Sequence, residues 1–228
     1  MQTPAEKYLI QKVVDALKVA GPLDVPKILN LGAGKSIVIE ESVAKGNNKF
    51  ICDRIDVIDQ HQSHPSIGRC FIGSIESMPD LKTESYLVAF ANYVLEHVAD
   101  LEKAIVEIKR VLKPGGLLIL SLPNPSAPEF IVSKYTPTWF HQFIKGKGRG
   151  KEAYETHYAY KSIKDLIRIF QKNNFLMVET KYYPFSYGYL YRFPVINLAS
   201  KIYDKIIGCL KVKILMGNVC LVFKKQEN

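Results

Sequence analysis

The sequence is short of the features that mark several large classes of protein. It carries a single Trp and only four Cys in 228 residues. Cys52, Cys70, Cys209 and Cys220 are far apart and stand mostly in apolar runs. That pattern excludes a disulfide-stapled scaffold and a zinc knuckle, and reads as small buried side chains in a reducing compartment. No apolar run approaches the roughly 18 residues that cross a bilayer, and the first residues lack the basic-then-apolar pattern of a secretion signal. The expectation is a cytoplasmic protein. There is also no Arg-rich cluster and no basic strip interleaved with aromatics. The net charge of +9, from 31 Lys and Arg against 22 Asp and Glu, therefore reads first as a basic soluble surface and second as an attractor of anionic partners, with nucleic acid disfavoured.

What is present is enough apolar residue, 47%, to bury one full-sized α/β core. Tyr8, Leu9, Val13, Val14 and Leu17 recur at helical spacing over Pro4 to Val19, with Thr3 as N-cap and Gly21-Pro22 as a stop. The apolar run Lys27 to Leu31 breaks into Gly32-Ala33-Gly34, a strand handing over to a turn whose glycines let backbone N–H groups approach a bound molecule. A short helix, Ile37 to Ala44, ends at Gly46-Asn47-Asn48.

A second strand, Lys49 to Cys52, changes abruptly to Asp53-Arg54-Ile55-Asp56, which marks its carboxyl edge. Asp53 follows Gly32 at the spacing where a nucleotide-binding fold puts an acid beside a ribose, and Asp56 competes if the strand runs longer. The segment Val57 to Gly68 has no helical period. Its His61 and His64 lack a third ligand at matching spacing, so no metal is expected. Arg69 to Gly73 forms a third strand, followed by Ser74 and Ile75, a polar edge and an apolar face suited to an adenine.

Tyr86 to Ala91 is uninterrupted and apolar, as a central parallel strand must be, and runs into Asn92-Tyr93-Val94-Leu95-Glu96-His97. A helix from Asp100 to Leu112 ends at Lys113-Pro114-Gly115-Gly116, and Leu117 to Asn124 is a fifth strand. A helix over Ser162 to Asn173, a sixth strand over Phe175 to Phe185 and an antiparallel seventh over Asn218 to Phe223 complete the order. Between the last two strands a helix, Val195 to Gly208, reads as packing against the sheet.

Three stretches together, Leu29 to Gly34, Asn92 to Val98 and Glu107 to Gly116, resemble the class I S-adenosylmethionine-dependent methyltransferases, in the small-molecule branch with the Leu-Glu-His turn. The resemblance covers Lys27 to Asn124. It implies a three-layer Rossmann-like α/β fold with a seven-stranded sheet, mostly parallel with an antiparallel last strand. It implies one domain over 1–228, with 125–160 as a substrate lid and 182–216 as a C-terminal embellishment. S-adenosylmethionine would lie across the strand ends: Leu31, Gly32, Ala33 and Gly34 beneath its methionine part, Asp53 or Asp56 on the ribose, Ser74 and Ile75 about the adenine, Asn92 and Tyr93 near the sulfonium. His97 would face the methyl-transfer zone, and either it or His157 would act as base.

Two positions depart from the pattern. Leu87 stands where the family often has an Asp early in the fourth strand. Tyr93 stands where the polyprenol-precursor O-methyltransferases that resemble this branch place an additional metal-binding Glu, so a metal-assisted mechanism is not expected. A dinucleotide oxidoreductase is disfavoured because the turn lacks the third glycine.

Beyond the fifth strand, Trp139, Phe140, His141, Phe143 and the basic run Lys145 to Lys151 make a lid suited to an anionic acceptor. The expected acceptor is a small molecule or a lipid- or glycan-linked intermediate, methylated on oxygen. The aromatic stretch Tyr182 to Pro194 would stack on a ring or dip into a membrane interface. The rivals are an RNA or DNA methyltransferase, which the charge suggests, and a catalytically silent adenosyl-binding module, which Leu87 suggests.

Overall fold

The computed structural model describes residues 2–19, 25–46, 49–59, 61–135, 157, 159–189 and 194–227. The helix stop at Gly21-Pro22, the Asn47-Asn48 turn, the lid residues 136–156 with Tyr158, and Tyr191 to Phe193 lie outside them.

Seven strands form one sheet in the order β3-β2-β1-β4-β5-β7-β6. They are β1 (Lys27–Leu31), β2 (Ile51–Asp56), β3 (Ile67–Ile72), β4 (Tyr86–Asn92), β5 (Leu112–Pro123), β6 (Phe175–Tyr183) and β7 (Asn218–Lys225). The first five pair in parallel, and β7 runs antiparallel between β5 and β6. The helices are α1 (Pro4–Val19), α2 (Val38–Ala44), α3 (Leu101–Val111), α4 (Pro128–Tyr135), α5 (Ile163–Lys172), α6 (Ser186–Tyr189) and α7 (Pro194–Leu210). Between β2 and β3 the described residues hold no helix, as the missing period of that segment leads one to expect.

The pleat sorts each strand's side chains into two cores. Leu29, Leu31, Ala89, Ala91, Leu118, Leu120, Leu221 and Phe223 pack with α3 and α5. Their neighbours Ile28, Val88, Phe90, Ile119 and Val222 pack with α1 and α2. Local chemistry starts the helices where the sequence signals them. Thr3 and Glu6 form a reciprocal capping box, with Glu6 N–H on Thr3 Oγ1 at 3.1 Å and Thr3 N–H on Glu6 Oε2 at 3.4 Å. Asp100 accepts from Lys103 N–H at 3.0 Å and Ser162 from Asp165 N–H at 3.2 Å.

Three expectations need correction. β2 continues past Cys52 to Asp56, because both charged residues inside it find buried partners. The Lys113 to Gly116 turn does not precede β5 but interrupts it: Tyr86 pairs with Leu112 and Val88 with Leu117, so four residues loop out with Gly115 at φ 71°. Of the cysteines, Cys52 and Cys220 are buried, but Cys70 is half-buried and Cys209 is exposed on α7.

Candidate functional site

At the end of β1 the chain turns with Gly32 at φ 62° and Gly34 at φ 56°, left-handed angles that glycine adopts without strain. A β-carbon at Gly32 would stand 2.5 Å from a Val94 methyl, whereas one at Gly34 would meet nothing within 4 Å. The turn is pinned to the end of β2: Gly32 and Ala33 N–H groups donate to Ile55 C=O at 2.9 and 3.2 Å. Gly34 N–H donates to Asp56 Oδ2 at 2.8 Å.

Beneath the turn lies a clamp. Arg54 Nη2 is shared among the carbonyls of Ala33, Gly34 and Ser36 at 3.0, 3.0 and 2.8 Å. Its Nε is 3.2 Å from Glu40 Oε1, with both side chains fully buried, and Glu40 Oε1 also accepts Asn30 Nδ2 at 2.8 Å. Strand parity puts Arg54 on the α1/α2 side of the sheet, opposite Asp53. The pair is incompletely satisfied, since Arg54 Nη1 and Glu40 Oε2 have no hydrogen-bond partner among the described residues. A buried ion pair of that kind contributes little net stability. What it does is hold the carbonyls of the turn inward, which leaves the opposite side of the turn free to face a ligand.

Asp53 is not at the strand's edge. It sits inside β2 at 2% exposure, accepting from the Tyr86 hydroxyl and from Arg69 N–H, each at 2.8 Å. Burial, with the carboxylate beside it, pushes the Tyr86 phenol well above its ordinary range. Asp56 ends the strand beside the glycine turn. Its oxygens accept from Gly34 N–H and, at 3.2 Å, from Ile58 N–H. Each oxygen keeps a second lone pair.

Past β4, Tyr93 takes φ 57° and its N–H donates to Ser121 C=O at 2.8 Å. Its side chain reaches across to the starts of β7 and α1: the hydroxyl bonds Asn218 Oδ1 and reaches Thr3 Oγ1 at 3.3 Å. Asn92 keeps a buried Oδ1, and Ser121 a buried Oγ, without a hydrogen-bond partner among the described residues. Leu95 to His97 make one 3₁₀ turn, and Glu96 C=O accepts His157 N–H at 2.8 Å, so the two candidate bases converge on this turn. His97 is half-buried and His157 exposed.

The Glu96 side chain, which sequence reasoning passed over, is 4% exposed, and burial raises its carboxyl from 4.5 to about 7. The folded protein holds this proton up to about pH 7, while the unfolded chain releases it near pH 4.5. Stability therefore falls as pH rises between those values, by about 3 kcal/mol in all, and stays at the lower level above them. Glu96→Gln is expected to abolish this loss. Urea unfolding at about pH 5 and about pH 8 should give the wild type a lower midpoint at the higher pH, and the variant a smaller difference.

After β3, Ser74 Oγ accepts Glu76 N–H at 3.1 Å and Ile75 is 6% exposed within the core. Glu76 Oε1 then accepts from Ala99 and Asp100 N–H at 2.9 and 3.2 Å, which ties this wall of the site to the segment after β4. The structure thus gathers Leu31 to Gly34, Asp56, Ser74, Ile75, Asn92, the Tyr93 backbone, His97 and His157 along the carboxyl edge, and leaves out Asp53.

A family model described as a methyltransferase domain matches residues 5–180. The chain is 35% identical over 111 residues to the demethylmenaquinone methyltransferase of Chlamydia caviae, a match that covers 46% of each. The chain thus spans about half the length of that relative. It is 23% identical over 194 residues to the ubiquinone biosynthesis O-methyltransferase of Rickettsia canadensis, covering 78% of this chain and 81% of that one. The fold also matches a solved phosphoethanolamine N-methyltransferase 2 of Haemonchus contortus, in complex with S-adenosyl-L-methionine. The TM-score is 0.57 at 14% identity, over 98% of this chain and 56% of the other.

Proposed function

The chain belongs to the methyltransferase domain family, and we propose that it transfers the methyl group of S-adenosylmethionine to a hydroxyl oxygen of a small or lipid- or glycan-linked acceptor. The observation that carries this is the open side of Gly34, where a β-carbon would touch nothing, beside the carboxylate of Asp56. The residues present fit the cofactor. Asp56 has lone pairs for two ribose hydroxyls, Asn92 has a buried unpaired acceptor oxygen, and at Gly34 the turn has no side chain in the way.

When bound, S-adenosylmethionine supplies an electrophilic methyl carbon. The protein's own work is alignment and exclusion of water. Gly32 and Gly34 would support the methionine part, Asp56 would hold the ribose, Ser74 and Ile75 would flank the adenine, and Asn92 would line the wall beside the reacting centre. The acceptor hydroxyl must lose its proton as its new bond forms. His97 or His157, brought to one turn by the Glu96 carbonyl, would take that proton on an imidazole nitrogen. An oxygen acceptor is supported by the name of the Rickettsia canadensis relative, and the charge of +9 favours an acceptor with anionic groups.

The test is incubation with methyl-labelled donor and fractionated cell extract. Label is expected in a small-molecule or lipid fraction, base-stable as an ether. His97→Gln or His157→Gln should lower kcat by about a hundredfold. Binding of S-adenosylhomocysteine without any transfer of label would instead make the chain a silent adenosyl-binding module.

A further inference from the structure

Helix α7 is built inside out. Its buried residues are Ser200, Asp204 and Ile207, two of them polar. Asp204 is turned inward to accept Ser186 and Tyr187 N–H at 3.2 and 3.1 Å, capping α6. On the opposite face Val195, Leu198, Ile202 and Ile206 are 80%, 62%, 56% and 52% exposed, and the exposed Cys209 continues their line. Their spacing of three and four places them in one stripe. Leu210 at the end of the helix and Ile214 in the 3₁₀ turn after it are exposed as well, at 68% and 60%. The sequence leads one to expect this helix to pack its apolar side on the sheet; instead it turns its other side inward, against α6.

We propose that α7 is a docking helix for an anionic phospholipid surface, lying in the plane of the interface with its apolar stripe among the acyl chains. The charge beside the stripe selects this occupant. From 194 to 216 the chain has four lysines, Lys201, Lys205, Lys211 and Lys213, all exposed, and one acid, the inward Asp204. Lysines flanking an apolar stripe can bury their stems and raise their ammonium groups to phosphates. Two copies of the stripe packed together would instead bring like charges side by side with no acid to offset them. No described helix, α7 included, is long and apolar enough to cross a membrane.

Topology gives the helix a consequence for the site. β6 ends and β7 begins on the same edge as the end of β5, as the pairs Pro123 with Asn218 and Tyr183 with Asn218 require. The excursion carrying α7 therefore leaves from the edge that holds the glycine turn. Asn124 fastens it there, donating to Lys213 and Met216 C=O at 3.2 and 2.9 Å. A membrane under α7 would lie beside the mouth of the site. The inference stands on the helix alone and does not depend on the methyl-transfer reading.

The experiment is co-sedimentation of the full chain with vesicles of phosphatidylcholine, alone or with about a third phosphatidylglycerol. The full chain should sediment with the anionic vesicles and remain in solution with the neutral ones. Ile202→Glu/Ile206→Glu should weaken binding by about tenfold or more. Lys201→Glu/Lys205→Glu should do the same, at about fivefold or more per position. Because all four side chains point outward, circular dichroism and the thermal midpoint should stay at wild-type values. No binding to anionic vesicles, or variants that bind as the wild type does, would overturn the proposal. So would a dimer in sedimentation equilibrium that Ile202→Glu/Ile206→Glu dissolves.

Discussion

Arg54→Met is expected to destabilise the protein by about 3–5 kcal/mol. The figure does not come from the worth of the ion pair. It comes from what is left behind: Glu40 would remain fully buried without its counter-charge, and the carbonyls of Ala33, Gly34 and Ser36 would lose their shared donor. Removing both charges should therefore be milder than removing one. Arg54→Met/Glu40→Leu is expected to recover part of the loss, because the orphaned carboxylate disappears while the space stays filled. Urea unfolding of the two variants measures this. A single variant as stable as the wild type would show that the clamp does not hold the turn. The double variant should still bind S-adenosylhomocysteine more weakly than the wild type, since its turn carbonyls remain unanchored, and that separates the clamp's effect on the site from its effect on folding.

Much of the fold is legible because its signals are local. The cap at Thr3, the helix starts at Asp100 and Ser162, the two-sided apolar strands and the paired glycines each declare themselves within a few residues. The errors come from partners distant in sequence. Cys52 to Asp53 looks like a strand edge because a charged pair interrupts an apolar run. The strand continues because Asp53 meets Tyr86 and Arg54 meets Glu40, contacts that neither segment announces. Glu96 lies in the Leu-Glu-His turn that sequence reading singled out, yet its burial depends on how the turn closes against the core. For α7 the period identifies a helix, but period alone does not say which face is turned inward. Asp204 decides that by capping α6.

The second large effect concerns the two carboxylates that the sequence leaves in competition. Asp56→Asn should weaken S-adenosylhomocysteine binding by about a hundredfold or more, because a carboxylate accepting from two ribose hydroxyls in a nearly buried site makes charge-assisted hydrogen bonds that an amide cannot replace. An amide has one acceptor oxygen for the two N–H groups, Gly34 and Ile58, that the Asp56 carboxylate now accepts, so it would leave its own donor facing one of them and disturb the loop. Asp53→Asn meets neither the turn nor its open side. It replaces the acceptor of the Tyr86 hydroxyl and Arg69 N–H, so its loss should appear in stability while binding stays within about threefold of wild type.

Isothermal titration of S-adenosylhomocysteine into the wild type, Asp56→Asn and Asp53→Asn compares them directly. Tight binding by the wild type and Asp53→Asn, with binding lost in Asp56→Asn, is the expected result. Absence of binding by the wild type, or a loss in Asp53→Asn as great as that in Asp56→Asn, would contradict the placement of the adenosyl site at the glycine turn and the end of β2.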